Sequence, residues 1–118
     1  MIFLKSVWPF DRVLSGRHNK VKITMQFQHE NRAEYGQFFL NNAEGQRIAE
    51  IRYQWAEPNR IIADHTWVDD SLRGQGVARK LLDTLVEFAR EKQLKITATC
   101  SYVVTMFKRD QSLADVVA

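Results

Sequence analysis

The chain has 118 residues, of which 45% are hydrophobic, enough for one domain with one core, so no second domain is expected. Its seventeen basic and fourteen acidic residues are well mixed, which argues against a nucleic-acid-binding stripe, and no stretch is long and apolar enough to span a membrane. The single cysteine excludes an internal disulfide, and residues 1–4 lack the charge order of a signal peptide, so we expect a soluble protein in the reducing cytoplasm.

The first half of the chain has the hydrophobic pattern of antiparallel strands. Residues 1–20 show no clear period and are interpreted as an N-terminal appendage, which leaves 21–118 as a single domain. Alternating apolar and polar residues, together with turn signals, predict four strands, at about residues 21–28, 34–40, 47–55 and 60–68. Turn-rich segments at 41–45 and 57–59 indicate that the later strands fold back as hairpins. Only the five residues 29–33 separate the first two strands.

The second half is predicted to contain two helices and a fifth strand. Apolar residues recur at helical spacing from Val77 to Ala89, with polar residues on the opposite side. A short strand is predicted at 94–100 and a short helix at 101–110. Because a helix joins the fourth strand to the fifth, these two strands are expected to run parallel.

A glycine turn, Arg-Gly-Gln-Gly-Val-Ala at residues 73–78, connects the fourth strand to that helix. Its two glycines let the backbone approach a phosphate without an intervening Cβ atom. The first N–H groups of the following helix have no partner within the helix and lie at the positive end of its dipole. The turn is therefore suited to binding a pyrophosphate.

Two common phosphate-binding motifs do not fit this turn. A P-loop needs Gly-Lys-Ser or Gly-Lys-Thr after its first glycine, and Lys80 stands in no such frame. A dinucleotide-binding fingerprint needs a third small residue where Arg79 stands, and an acidic residue at the end of the next strand, where Cys100 stands. Another kind of phosphate-bearing ligand is therefore indicated.

The pattern Arg-x-x-Gly-x-Ala at 73–78 resembles the acetyl-coenzyme A signature of the GCN5-related N-acetyltransferases, which is Gln or Arg, two residues, Gly, one residue, then Gly or Ala. The order of the predicted elements also resembles this superfamily, over about residues 21–110. More narrowly, residues 65–68 and 99–103 resemble a small, minimal YjdJ-like subgroup. The resemblance implies a minimal α/β (α+β) fold, with a mixed, mostly antiparallel sheet of about five strands and a central strand-helix-strand unit for coenzyme A.

The resemblance implies acetyl transfer from acetyl-coenzyme A (acetyl-CoA), as co-substrate, to an exposed amine on a protein, a peptide or a small molecule. In the family, a backbone N–H of the fourth strand faces the thioester, and the pantetheine arm lies beside that strand like an extra strand. The residues expected to bind the coenzyme are Trp67, Val68, Arg73, Gly74, Gln75, Gly76, Val77, Ala78 and Arg79. We infer no metal, because His29 has no companion at metal-ligand spacing.

Three side chains near the ends of the predicted parallel strands are candidate catalytic residues. Strand alternation predicts that His65 and Trp67 share one face with Ile61 and Ala63. His65 is interpreted either as a general base, since imidazole titrates near neutral pH, or as a hydrogen-bonded histidine that fixes the strand.

Cys100 and Tyr102 have equally open interpretations. Cys100 is a candidate nucleophile that carries the acetyl group, a candidate proton donor to the coenzyme A sulfur, or a small buried core residue. Tyr102 is a candidate proton donor to the same sulfur, or an ordinary core tyrosine.

The sequence departs from the larger superfamily on the acceptor side. Ordinary members insert two helices between the first two strands, where residues 29–33 leave no room, and the chain after Cys100 is too short for a helix and a closing strand pair. We expect the acceptor side to be open, or to be completed by residues 1–20 or by a second subunit of a homodimer. A coenzyme A binding module without turnover is the alternative function, and a basic nucleic-acid-binding domain, suggested by the pI alone, is the weakest.

Overall fold

The computed structural model describes residues 26–118, so the predicted appendage and most of the strand predicted at 21–28 lie outside the described residues. The described chain has five strands, namely β1 (Gln28–Asn31), β2 (Tyr35–Asn41), β3 (Arg47–Glu57), β4 (Arg60–Val68) and β5 (Lys95–Ala98). It also has two α-helices, α1 (Val77–Lys92) and α2 (Ser101–Arg109), and two 3-10 segments, Asp70–Leu72 and Gln111–Val116.

The five strands form one sheet in the order β1-β2-β3-β4-β5. Strands β1 to β4 pair antiparallel with one another, and β5 runs parallel to β4 after the crossover through α1. The predicted mixed, mostly antiparallel fold is therefore confirmed. None of the helices within residues 26–118 is long and apolar enough to cross a membrane.

Strand β1 includes residues that were predicted to connect two strands. It pairs with β2 from Gln28 opposite Phe39 to Asn31 opposite Gly36, where the sequence predicts a connection. The connection is closed by the Arg32 N–H, which donates to the Tyr35 carbonyl at 2.8 Å. The prediction of a connection at 29–33 was wrong, because polar residues at a sheet edge lack the apolar alternation that marks a half-buried strand.

Helix α1 covers one face of the sheet. Its apolar stripe is buried, as the spacing predicts, and comprises Val77, Leu81, Leu82, Leu85, Val86, Phe88 and Ala89. The stripe belongs to one core with strand side chains that include Phe38, Ile51 and Ile61. Each of these large side chains stabilises the fold by roughly 1.5–3 kcal/mol through removal from water. Val103 of α2 joins the same core.

A β-bulge at Asp64 divides β4 into two parts. Tyr53 of β3 lies opposite Ala63, while the preceding Arg52 lies opposite His65, so Asp64 is an extra residue. An extra residue reverses the alternation of side chains beyond it. Ile61 and Ala63 face the helices and are fully buried.

Beyond the bulge, His65 and Trp67 turn to the opposite face of the sheet. The exposed fractions are 46% for the His65 side chain and 39% for Trp67. The prediction that these residues share the face of Ile61 and Ala63 is therefore wrong. We call this opposite side, which carries Glu50, His65 and Trp67, the outer face. All fully buried strand residues of the described chain lie on the helix side, so no helix within residues 26–118 covers the outer face.

The segment after α2 closes the sheet edge without a strand pair. Strand β5 ends at Ala98 and Cys100 caps the start of α2, so the strand is shorter than the predicted 94–100. In place of the usual strand pair, Val117 forms an isolated parallel bridge with Ile96. The Arg79 guanidinium of α1 pairs with Asp110, the residue after α2, and so connects the two helices.

Candidate functional site

The glycine turn has the backbone conformation that glycine permits most readily. Gly74 has a φ of 81° and Gly76 a φ of 70°, both in the left-handed region. A Cβ atom built on either residue would meet no atom within 4 Å, so both glycines border open space. Gly76 caps α1 without any side-chain hydrogen bond. The turn therefore presents bare main chain to whatever occupies that space.

The N-terminus of α1 supplies hydrogen-bond donors to the same space. The first bond within the helix runs from the Lys80 N–H to the Gly76 carbonyl at 3.1 Å. Three N–H groups lie before this first bond and have no partner within the helix, namely those of Val77, Ala78 and Arg79. The Lys80 ammonium donates to the Gln75 carbonyl at 3.2 Å and adds positive charge beside the turn. This geometry suits an anion such as a pyrophosphate.

The two arginines of the turn differ in their freedom to reach such an anion. Arg73 has a 77% exposed side chain and pairs with the equally open Asp70 at 2.8 Å. Arg79 donates to Asp83 at 2.8 Å and to Asp110, and these hydrogen bonds, the one to Asp110 above all, raise the pKa of Arg79. Arg79 thus connects α1 to the residue that follows α2. Arg73 instead lies on the surface beside the turn, where an anion could reach it.

Strands β4 and β5 separate beyond Ala63. Their pairing runs only from Arg60 to Ala63, although β4 continues to Val68. The N–H groups of Thr99 and Cys100 both donate to the Ala63 carbonyl, at 3.0 and 3.1 Å, and close the ladder there. We call the resulting gap, between the second half of β4 and Cys100, the β4–β5 opening.

The backbone of β4 offers unpaired polar groups to this opening. The Asp69 N–H donates to the Ile48 carbonyl of the β3 side at 2.8 Å. Ladder bonds alternate along an antiparallel strand, so Trp67 also directs its N–H and carbonyl groups towards β3. Thr66 and Val68 direct theirs towards the opening. Trp67 and Val68 were the two positions predicted to offer main-chain groups to the coenzyme. Val68 faces the opening, and Trp67 does not. Thr66 also faces the opening, but it was missed because the pairing register of the strands is not visible in the sequence.

Cys100 borders the opening from the helix side of the sheet. Its Sγ lies 3.4 Å from Thr66 Oγ1, and the residue is half-buried. Tyr102 lies in the first turn of α2, where burial raises the pKa of its hydroxyl while the nearby positive charge of Arg79 opposes that rise. Tyr102 therefore stays protonated at neutral pH and is able to donate a proton.

His65 lies on the outer face, across the sheet from Cys100. Its Nε2 is 3.1 Å from Oε2 of Glu50 on β3. The bulge thus separates the two predicted candidates, because Cys100 contacts Thr66 on the helix side whereas His65 contacts Glu50 on the other. Glu50 was missed because it lies fifteen residues before His65, and only the strand pairing brings them together. Within residues 26–118, no group of three or more His, Cys, Asp or Glu side chains could hold a metal ion.

The chain is similar to known proteins both in sequence and in structure. The profile described as GCN5-related N-acetyl-transferase matches residues 37–116. The solution structure of a GCN5-like protein from Staphylococcus aureus is 38% identical, with a TM-score of 0.65 over 80% of this chain and 88% of that chain. Tetrahymena GCN5 has a TM-score of 0.54 at 10% identity, over 66% of this chain and 51% of that chain, which shows the shared fold.

A vertebrate relative is also similar. Human protein NATD1 is 26% identical over 86 residues, which cover 73% of this chain and 74% of that protein. The family profile spans the glycine turn, the β4–β5 opening and both helices, and it matches more than half of the chain. The chain therefore belongs to the GCN5-related N-acetyltransferase family.

Proposed function

We propose that this N-acetyltransferase uses acetyl-CoA and acetylates an exposed primary amine, such as a lysine of a protein or peptide, or a small amine. Its family membership supports acyl-CoA-dependent transfer to nitrogen in general. The observation that carries the finer proposal is the presence of two sets of main-chain groups without a protein partner. One set lies at the helix start, from Val77 to Arg79, and the other on β4, at Thr66 and Val68 beside Cys100. The first set has the donors that a pyrophosphate requires, and the second has those that an extended amide chain requires.

The coenzyme is proposed to contact both sets of groups. The N–H groups of Gly76 to Arg79 bind the pyrophosphate, and Arg73 adds its charge by exchanging its exposed pairing with Asp70 for the phosphate. The pantetheine arm pairs with Thr66 and Val68 in the place of an extra strand. The residues present fit the group, because both glycines border open space and the β4 groups lack a partner strand.

His65 is proposed to prepare the attacking amine. An alkylammonium has a pKa of about 10.4 and no free electron pair, so it must lose a proton before it can attack a carbonyl. His65 takes this proton on the outer face. The amine nitrogen then bonds to the thioester carbon, and the N–H of Thr66 or Val68 stabilises the developing oxyanion.

Cys100 and Tyr102 are proposed to act on the leaving sulfur from the helix side. The carbon–sulfur bond breaks, and the coenzyme A thiolate takes a proton from one of these two side chains. The nitrogen loses its second proton to solvent as the amide forms, and solvent returns a proton to the side chain. The hydrogen-bond neighbour of the Cys100 thiol is Thr66 Oγ1, and His65 lies across the sheet, so within residues 26–118 no imidazole is placed to activate the thiol as a nucleophile. We therefore favour direct transfer over an acetyl-cysteine intermediate.

The alternative is a coenzyme A binding module without turnover. The uncovered outer face favours it, because only residues 32–34 connect β1 to β2 and no described element walls an acceptor site there. Release of free thiol from acetyl-CoA in the presence of lysine peptides and polyamines separates the two functions. Binding without thiol release for any of these amines would support the module.

The first prediction concerns Cys100. We expect Cys100→Ala to lower the rate of thiol release, because a positioned proton donor contributes about 10²-fold or more to catalysis, and Cys100→Ser to retain part of the rate. Ser101→Ala, at an exposed neighbouring position, is the matched control. An undiminished rate in Cys100→Ala would remove Cys100 from the mechanism.

A further inference from the structure

The carboxylate of Glu50 is held in a fixed position on the outer face. Its Oε1 accepts a hydrogen bond from Arg47 Nη1 at 2.8 Å, and its Oε2 lies 3.1 Å from His65 Nε2. The Arg47 guanidinium in turn lies over the ring of Phe39, 3.9 Å from its centroid. The Glu50 side chain is only 20% exposed. Each carboxylate oxygen thus has its own partner, and Glu50 cannot turn without losing one of them.

This contact favours one of the two neutral forms of the His65 ring. With a carboxylate oxygen 3.1 Å from Nε2, a proton on that nitrogen is attracted by the negative charge, whereas a free electron pair there would be repelled by it. The neutral ring then carries hydrogen on Nε2 and a free electron pair on Nδ1.

We propose that Glu50 is a positioning residue that holds His65 in the Nε2–H tautomer and makes Nδ1 the nitrogen that accepts the proton of the acceptor amine. This inference rests on the proposed function. When His65 becomes an imidazolium, the Glu50 carboxylate stabilises it, in the manner of the aspartate of a hydrolase triad. It follows that the acceptor amine approaches the thioester from the outer face.

The other charged side chains near His65 lie against partners other than its ring. On β3, Arg52 is the cross-strand partner of His65, but its Nε lies 3.8 Å from Asp64 Oδ1. On β4, Asp64 accepts a hydrogen bond from Gln54 through its other oxygen. Arg47 faces Glu50 rather than the ring. Glu50 is therefore the group that sets the orientation of the His65 ring.

The first test reads the tautomer directly by NMR. Long-range ¹H–¹⁵N spectra of the full-length protein at about pH 8, where free imidazole is neutral, distinguish the two tautomers. The spectrum of His65→Gln assigns the His65 signals among those of the three histidines. We expect pure Nε2–H in the natural protein and a mixture in Glu50→Gln, because an amide both donates and accepts.

Glu57→Gln is the matched control for this test. It makes the same chemical change on the same strand, at a carboxylate that pairs with Arg60, and is expected to leave His65 in the Nε2–H form. A tautomer mixture in the natural protein, or an unchanged tautomer in Glu50→Gln, would overturn the inference. This result is independent of turnover, so it decides the role of Glu50 even if no amine is acetylated and the proposed function fails.

The second test follows the consequence for transfer to a lysine peptide. We expect Glu50→Gln to lower kcat about 10-fold or more, with the KM for acetyl-CoA unchanged. The double variant Glu50→Gln with His65→Gln should be no slower than His65→Gln alone, because Glu50 acts through His65. A further loss in the double variant would show that Glu50 acts by another route.

Discussion

At the scale of single residues, the glycine turn carries the strongest argument for coenzyme binding. Gly76 combines a left-handed φ of 70°, open space at the Cβ position and a place directly before the free N–H groups of α1. Any side chain there would enter the space in which the pyrophosphate is proposed to lie. Gly45, in the β2–β3 turn, has a φ of 84° and equally open surroundings, but lies outside the site.

The two glycines make a matched pair for mutation. Gly76→Ala and Gly45→Ala should each lower the free energy of unfolding by about 1–2 kcal/mol, because an L-residue in the left-handed region is strained. Only Gly76→Ala should also weaken acetyl-CoA binding, as measured by isothermal titration calorimetry. Equal affinity in the two variants would remove the turn from the binding site.

The sequence indicated several candidate side chains, but it did not indicate which residues contact them in the fold. The sequence suggested His65, Cys100 and the glycines, because their chemistry or their motif is visible in the chain itself. Glu50 and Thr66 were missed, because each depends on a neighbour that the sheet brings close. A glutamate in a strand with ordinary alternation has no local feature that distinguishes it from a solvated one.

At the scale of elements, the contact between α1 and the end of α2 depends on one carboxylate. Asp110 accepts hydrogen bonds from Ser112, through both its N–H and its hydroxyl, and from Arg79. These bonds, those from the Ser112 hydroxyl first and from Arg79 second, lower the pKa of Asp110 from 3.8 to about 2. The folded state therefore binds this proton less readily than the unfolded state does.

The sign of the pH effect follows from that difference. A lowered pKa in the folded state gives stability that is present above pH 3.8 and is lost as the pH falls towards about 2. Asp110→Asn should lower the melting temperature at pH 7 and flatten its dependence on pH between about 4 and 2. Asp70→Asn, at an 85% exposed carboxylate, is the control. An unchanged acid profile in Asp110→Asn would contradict the proposed contribution.

Elements with a strong hydrophobic period were predictable, and the irregular ones were not. Strands β2, β3 and β4 and helix α1 were confirmed because buried apolar residues mark them. The bulge at Asp64 was missed because no residue type between Ile61 and Trp67 marks an extra position in the strand. Only the pairing with β3 shows that one residue is extra.

At the scale of the whole molecule, the described chain is a sheet with helices on one side only. The outer face between β1 and β4 carries polar and charged side chains such as Glu50, Arg52 and His65, and no described helix covers it. The proposed coenzyme side, with the glycine turn and the β4–β5 opening, is thus formed by the described residues, while no helix among them covers the proposed acceptor side. An open acceptor side fits a lysine on a protein surface at least as well as a small amine.

The central claim is that acetyl-CoA binds along the glycine turn and the β4–β5 opening. Titration of the ¹⁵N-labelled protein with acetyl-CoA, followed in ¹H–¹⁵N correlation spectra, tests it most directly. We predict that the largest shifts fall on the amides of Gly74, Gly76, Val77, Thr66 and Val68, and that the β1–β2 hairpin is unaffected. No shifts at saturating ligand, or shifts centred on that hairpin, would contradict the claim.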